Sequence, residues 1–380
     1  MKSATFSSKS ITKLIKQIDS HIDDGLSPAV AFVYLSPIYN VNKITKKLSK
    51  YDFLIMGGTT AGEVYANAED GVHELDKSIV CMLIEVDKNA LDLTIVEVDE
   101  NKDSYSVGEH IGLWAKSAFA DCAIITLTSG LAFDNDSYTQ GIISKGIEYV
   151  FGGATGDDML LKETHVFSNN LVSSHGVVAL ALDKSKIDLL GSRAFGWDGI
   201  GKERIVTKSK KNVVYEIDGS PATNFYKRYL EVGAKDMPKV GLAYPLEVKR
   251  RNGQVIYRAI LDIDEEEGSL IFAGHVEEMS RVRISIPKGK SIISEVEKSS
   301  KKTLDDNPNF SPKLALVFPC CSRKQVLGHL AHLEIEAIVK NADVPLVGFF
   351  AYGEIGAFPG GYGFHNETFV TVFLQEKVNV

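Results

Sequence analysis

With 42 Lys and Arg against 50 Asp and Glu in 380 residues, the chain has a formal charge of −8 and a pI near 5.7. That balance argues against a nucleic-acid partner, which needs Lys and Arg concentrated against phosphate. Hydrophobic residues make up 44% and charged residues 24%, as in a globular protein with a sizeable core, long enough for two or three domains of ~100–200 residues each.

In chain order, Ser10–Asp19 spaces Ile11, Leu14, Ile15 and Ile18 as a helix with Ser10 as its N-cap. Pro28–Leu35 predicts a buried strand, and Val41–Tyr51 a short basic helix with Ile44 and Leu48 on one face. Asp121–Thr128 predicts a strand and Tyr138–Glu148 a helix. From about Leu189 to Ser285 the rhythm changes. Glu203–Ser209 and Asn212–Asp218 read as a hairpin across a Lys-rich turn, and Ser220-Pro221 opens a helix to about Leu230. The runs Leu242–Arg250 and Gln254–Ile263 flank Asn252-Gly253, a type I′ hairpin signal. Glu265–Gly268 is a turn before Leu270–Ala273, and Lys290–Asp305 is an amphipathic charged helix stopped at Asp306-Asn-Pro-Asn. Lys313–Phe318 predicts a strand and Gln325–Lys340 a helix.

Three segments are copies of one unit: strand, helix, strand, glycine loop, strand. The loops read Met56-Gly-Gly-Thr-Thr-Ala-Gly-Glu63, Phe151-Gly-Gly-Ala-Thr-Gly-Asp157 and Val347-Gly-Phe-Phe-Ala-Tyr-Gly-Glu354. The closing strands are Ser78–Glu85, Gly176–Asp183 and Thr368–Glu376, each ending in an acid. Such self-similarity predicts α/β units with two parallel strands each and mixed sheets. The fold class is therefore α/β, built of repeated strand–helix–strand–glycine-loop units, with an antiparallel α+β insertion. The expected domains are residues 1–188, 189–289 and 290–380.

Three constellations carry candidate chemistry. Glycine permits close backbone approach, so the loops are candidate ligand crevices at strand ends. They match neither the phosphate-loop nor the dinucleotide spacing. The acid after each last glycine, Glu63, Asp157 or Glu354, either meets an ammonium or hydroxyl donor or caps backbone N–H groups. In Phe318-Pro-Cys-Cys-Ser-Arg323, Arg323 could grip a carboxylate. Cys320 is either a nucleophile needing a histidine or a buried thiol. Tyr352, His365 and Asn366 complete a candidate pocket, unless the His-Asn pair only anchors its loop. Asp157-Asp158 is a weak divalent-cation signal. Cys320-Cys321 lack structural-zinc spacing, and Cys81 and Cys122 read as packed hydrophobes. The cysteine usage, the absence of an apolar signal core in Met1–Ser10 and the lack of any run near the ~20 residues of a spanning helix suggest a cytoplasmic protein away from membranes. His329 and His332 lie three residues apart on one face of the helix expected at Gln325–Lys340, and His21, His73, His110, His165, His175 and His275 read as surface residues.

These motifs resemble the FIST family of sensory domains. The resemblance rests on Gly57–Val64, Gly152–Asp157 and Gly176–Leu180 in the first half. In the second half it rests on Cys320 and Arg323, Gly328 with Glu334 and Glu336, Pro345–Ile355 and His365-Asn366-x-Thr368. It spans about Leu26 to Leu374. It implies a sensor of small ligands, with amino acids proposed, that passes its signal to a histidine kinase or a cyclic-di-GMP enzyme and is not an enzyme itself. The free-standing NosP subgroup further implies haem b and nitric oxide, with His365 and His332 as candidate iron ligands. A cysteine-dependent hydrolase or transferase is the competing reading, and a scaffold with a vestigial pocket a third.

Overall fold

Along strand Val30–Leu35, Phe32 and Tyr34 face one apolar cluster while Ala31, Val33 and Leu35 face another. Cys122–Thr128 and Leu314–Pro319 divide the same way: Ile125, Leu127, Leu316 and Phe318 join the cluster of Phe32 and Tyr34. Strands apolar on both sides belong to sheets covered on both faces. Here each sheet turns one face to a core shared by all three units and the other to its own helices. The computed structural model describes residues 1–99, 102–230, 237–287, 290–359, 361 and 363–377.

Each unit is larger than the repeat visible in the sequence, because a strand and a helix precede it. The first unit runs Lys2–Ser8, helix Ile11–Asp23, Val30–Leu35, helix Val41–Leu48, Leu54–Thr59 and finally Ile79–Glu85. The second runs Leu91–Glu97, helix Ser104–Ala118, Cys122–Thr128, helix Asn135–Ser144, Val150–Ala154 and Gly176–Asp183. The third opens with Ile187–Ala194, before the insertion, and resumes with helix Lys290–Asp305, Leu314–Pro319, helices Cys321–Leu327 and His332–Ala342, Leu346–Phe349 and Phe369–Glu376. In all three the sheet order is opening strand, closing strand, second strand, third strand. The second and third strands are parallel and the other pairs antiparallel.

The hairpin after each glycine loop leaves its own sheet. Glu63–Asn67 and Gly71–Leu75 of the first unit extend the third unit's sheet beside Leu346–Phe349. Val166–Phe167 and Val172–Ser173 of the second extend the first beside Leu54–Thr59. Gly353–Ala357 and Phe364–His365 of the third extend the second beside Val150–Ala154. The exchange is cyclic, so no unit completes its sheet alone.

The insertion is an eight-stranded antiparallel sheet around the long strand Trp197–Lys210, with helices Ala222–Leu230 and Met237–Ala243. Arg258, fully buried, docks it: Nη2 donates to Asp136 at 2.8 Å and Nη1 to the Phe364 carbonyl at 3.2 Å.

Local differences from the sequence reading have local causes. Gly328 takes φ +53 and interrupts the expected 325–340 helix. The helix expected from Tyr138 starts at Asn135 because Asp134 caps Ser137 at 3.0 Å. Ser10 occupies its cap position without a side-chain cap bond. Of Asn252-Gly253 only Gly253 has positive φ, +86, so the turn is not type I′. Residues 237–243 of the segment before it are helical, and the strand starts at Leu246.

Candidate functional site

The three glycine loops follow equivalent strands and close on one another. Loop two donates to loop one through Gly156 N–H to the Thr59 carbonyl (3.0 Å) and Asp158 N–H to that of Thr60 (2.9 Å). Loop three donates to loop two through Tyr352 N–H to the Ala154 carbonyl (3.0 Å). Loops one and three exchange Ala61 N–H to the Phe350 carbonyl (3.2 Å) and Phe350 N–H to that of Gly62 (2.9 Å).

The glycines serve strand approach. Gly57, Gly152 and Gly348 stand opposite Val33, Thr126 and Val317 on the parallel neighbour. A Cβ at those glycines would lie 2.5, 1.7 and 1.9 Å from the partner's carbonyl oxygen. The turns run from strand to strand, in the order expected from the sequence.

The acids latch backbone. Glu63, fully buried, accepts from Ser78 N–H at 3.1 Å and Ser78 Oγ at 2.6 Å. Glu354, also fully buried, accepts from Thr368 N–H at 3.0 Å. Ser78 and Thr368 immediately precede the closing strands of units one and three. In unit two the matching N–H, of Gly176, goes to Ser129 Oγ at 2.9 Å. Asp157 instead accepts from the backbone of Leu161, Lys162 and Glu163 and from the Tyr352 hydroxyl. Burial pushes the Glu63 carboxyl up to about 7 against the pull of Ser78 and Thr60. Asp158 receives Ser36 Oγ at 2.7 Å. Among the described residues no group of three or more metal-ligating side chains occurs, here or elsewhere.

Cys320 has structural counterparts. Its N–H reaches the Thr368 carbonyl at 3.0 Å, as Ser36 reaches Ser78 and Ser129 reaches Gly176 at the same distance. Its thiol is 3% exposed beside Ser322, and burial holds it protonated well above the usual range. A protonated thiol is a poor nucleophile. Arg323, fully buried, donates Nε to Glu334 at 3.0 Å and Nη1 to the Glu367 carbonyl at 2.9 Å. It therefore joins the helix to the last turn.

Glu367 was not singled out by the sequence. It is fully buried at φ +60, and neither carboxyl oxygen has a hydrogen-bond partner. The nearby Ser322 hydroxyl does not reach bonding geometry. Burial pushes Glu367 up to about 8 against the pull of Ser322 and Arg323.

His365 is 1% exposed, and its Nε2 lies 3.2 Å from Arg193 Nη1. The Asn366 side-chain oxygen lies 3.4 Å from Arg258 Nη1. His332 is on the surface, 3.9 Å from Glu336. Of these two candidate iron ligands, one imidazole is buried against a guanidinium and the other faces solvent. His275 departs from the surface reading, with Nε2 3.0 Å from Asp134 across the docking face of the insertion.

An open cleft lies where the insertion joins the third unit. Its volume is about 350 Å³, and its lining includes Arg193, Phe195 and Trp197 from one stretch of chain and Ser291, Glu295 and Lys298 from helix Lys290–Asp305. Gly196 makes this approach possible, since a Cβ there would sit 2.8 Å from Ile292 Cα. Phe195 packs its ring edge-on to His365, with centroids 6.0 Å apart. Sequence reading missed Arg193 and Trp197. The available signal was a lone arginine in the otherwise mostly apolar and neutral end of strand Ile187–Ala194.

No helix among the described residues is long and apolar enough to cross a membrane. No curated protein matches the chain. Residues 29–220 match the FIST N domain and residues 222–357 the FIST C domain. The chain thus belongs to the FIST family, whose domains are small-ligand sensory modules of signal transduction rather than catalysts.

Proposed function

We propose that this protein binds a small metabolite and, in response, alters the activity of a separate signalling protein such as a histidine kinase or a cyclic-di-GMP enzyme. One relationship carries the reading. Arg193 lines the open cleft and hydrogen-bonds His365, which pairs in register with Glu354 on the hairpin that the third unit lends to the second. A ligand touching Arg193 therefore bears on a contact between units. Its effect is a population shift, bounded by its differential affinity for the two states. Amino acids are the first ligands to test, by thermal shift and calorimetry on the whole chain. Kinase autophosphorylation with and without ligand then tests the output. Failure of every compound to bind removes the sensor reading.

The narrower haem and nitric-oxide reading runs through His365 or His332. For His365 it requires the imidazole to exchange Arg193 for iron. Haem titration followed by absorption decides it: a Soret band lost in His365→Ala or His332→Ala supports it, and a spectrum of free haem removes it. Cys320-dependent hydrolysis is tested with esters and amides against Cys320→Ala.

A further inference from the structure

We propose that the contact between His275 and Asp134 is a pH-operated latch, closed by a proton, that holds the insertion on the second unit. It joins the stretch matched by FIST C to the stretch matched by FIST N. It stands apart from the metabolite reading, because its stimulus is the proton.

The insertion grips the second unit at two carboxylates at the start of helix Asn135–Ser144. Asp136 takes a permanent arm. Arg258 Nη2 reaches it at 2.8 Å, with both side chains at most 1% exposed, and the His275 N–H reaches the same oxygen at 3.0 Å. A guanidinium keeps its charge at any working pH, so this arm does not switch. Asp134 takes the other arm. His275 Nε2 lies 3.0 Å from its Oδ2, and the two side chains are 25% and 28% exposed. Partial exposure lets a proton come and go without unfolding. One loop carries both arms: Arg258 Nε donates to the His275 carbonyl at 3.1 Å. Gly274 makes room for the guanidinium, since a Cβ there would lie 2.7 Å from Arg258 Cζ.

Burial pulls His275 toward its neutral form. The bond to Asp134 and the charges of Asp136 and Asp134 outweigh that and the repulsion of Arg258, so the imidazole holds its proton above the ordinary histidine range. Burial also opposes the charge on Asp134, but His275 and the capped Ser137 N–H hold that carboxyl well below the usual range. Lys211, 59% exposed, also faces Asp134, at 3.5 Å. Around the adjoining cleft, Glu277 pairs with Arg250, Glu278 accepts from Ser209 N–H at 3.2 Å, and the Glu278 carbonyl takes Arg251 Nε at 3.3 Å. A histidine whose folded-state pKa is raised adds stability that is complete below its unfolded pKa, ~6.5, and lost as pH climbs through the folded value. The latch is therefore shut in mild acid and weakens as pH rises past that point. The helix it caps also packs on the hairpin lent by the third unit, where a Cβ at Gly363 would lie 2.4 Å from Thr139 Cγ2. A change at this joint thus bears on a contact between units.

NMR of the histidine-labelled full-length protein follows the His275 titration. We expect a midpoint above ~6.5. It should fall in Asp134→Asn, which keeps the helix cap because asparagine caps as well as aspartate. The amide at position 275 bonds Asp136 across the joint. Its protection, corrected for intrinsic exchange, should drop about fivefold between about pH 6 and about pH 8.5, the upper range for an exposed ion pair. In His275→Gln it should hardly change. A double-mutant cycle of His275→Gln and Asp134→Asn, by urea unfolding, should show about fivefold coupling at the lower pH and none at the higher. Titration of Glu63 and Glu367 cancels in that cycle. A wild-type midpoint at or below ~6.5, a midpoint unmoved by Asp134→Asn, or equal coupling at both pH values overturns the latch. Wild-type titration and exchange decide the matter even if a variant fails to fold.

Discussion

The Tyr352 hydroxyl donates to Asp157, joining the third glycine loop to the second across 195 residues of chain. Asp157 in turn holds the N–H groups of Leu161, Lys162 and Glu163. Asp158, Met159 and Leu161 in that segment all have positive φ, a strained conformation for non-glycine residues. One phenol thus supports a strained segment from another unit. Tyr352→Phe should destabilise the protein by about 1.5–3 kcal/mol, the range for a hydrogen bond to a charged group. Urea unfolding measures it. Amide exchange should rise at Leu161–Glu163 before it rises in the strands.

Arg323 and Glu334 are both fully buried. Removing one partner strands the other charge, so Arg323→Met should cost about 3–5 kcal/mol. The double variant Arg323→Met/Glu334→Leu should recover most of that loss, because the desolvation of both charges disappears. A double variant no more stable than the single one would show that Arg323's bonds to backbone carbonyls matter more than the ion pair.

Stability should fall as pH rises from about 5 to 8.5. Glu63 at about 7 and Glu367 at about 8 both lie above the ordinary glutamate range through burial. An acid whose folded-state pKa is raised gives stability that is complete below its unfolded pKa and lost as pH climbs through the folded value. Glu63→Gln should flatten the fall only up to about pH 7, and Glu367→Gln should flatten it over the whole range up to about pH 8. Denaturant midpoints at half-unit pH intervals check this, and an unchanged slope in both variants counts against it.

Gly348→Ala should be far more damaging than Gly25→Ala. The first places a Cβ 1.9 Å from the Val317 carbonyl oxygen, inside a buried parallel pair. Its cost should reach or exceed the roughly 1–3 kcal/mol usual for overpacking, and soluble yield should fall. Gly25 has φ +98 but nothing within 4 Å, so only backbone strain opposes alanine there. Thermal denaturation of the two variants makes the comparison.

The sequence by itself determined the repeated element order, because apolar runs, helical spacing and glycine punctuation are local signals. It also marked Glu63 and Glu354 as equivalent, though Asp157, grouped with them, holds a different segment. It did not reveal the opening strands Lys2–Ser8, Leu91–Glu97 and Ile187–Ala194, whose edge or half-buried positions leave them mixed in character. Nor could it assign Arg323 to Glu334 rather than to a ligand, since an ion pair forms only when two elements pack. The exchange of hairpins was beyond local reading for the same reason: Glu63–Asn67 pairs with Leu346–Phe349, nearly three hundred residues away. A strand's own residues require a partner with matching pleat and buried faces, and only the tertiary fold decides which strand supplies it. That choice closed the glycine loops on one another and left the open cleft beside Arg193 and Trp197.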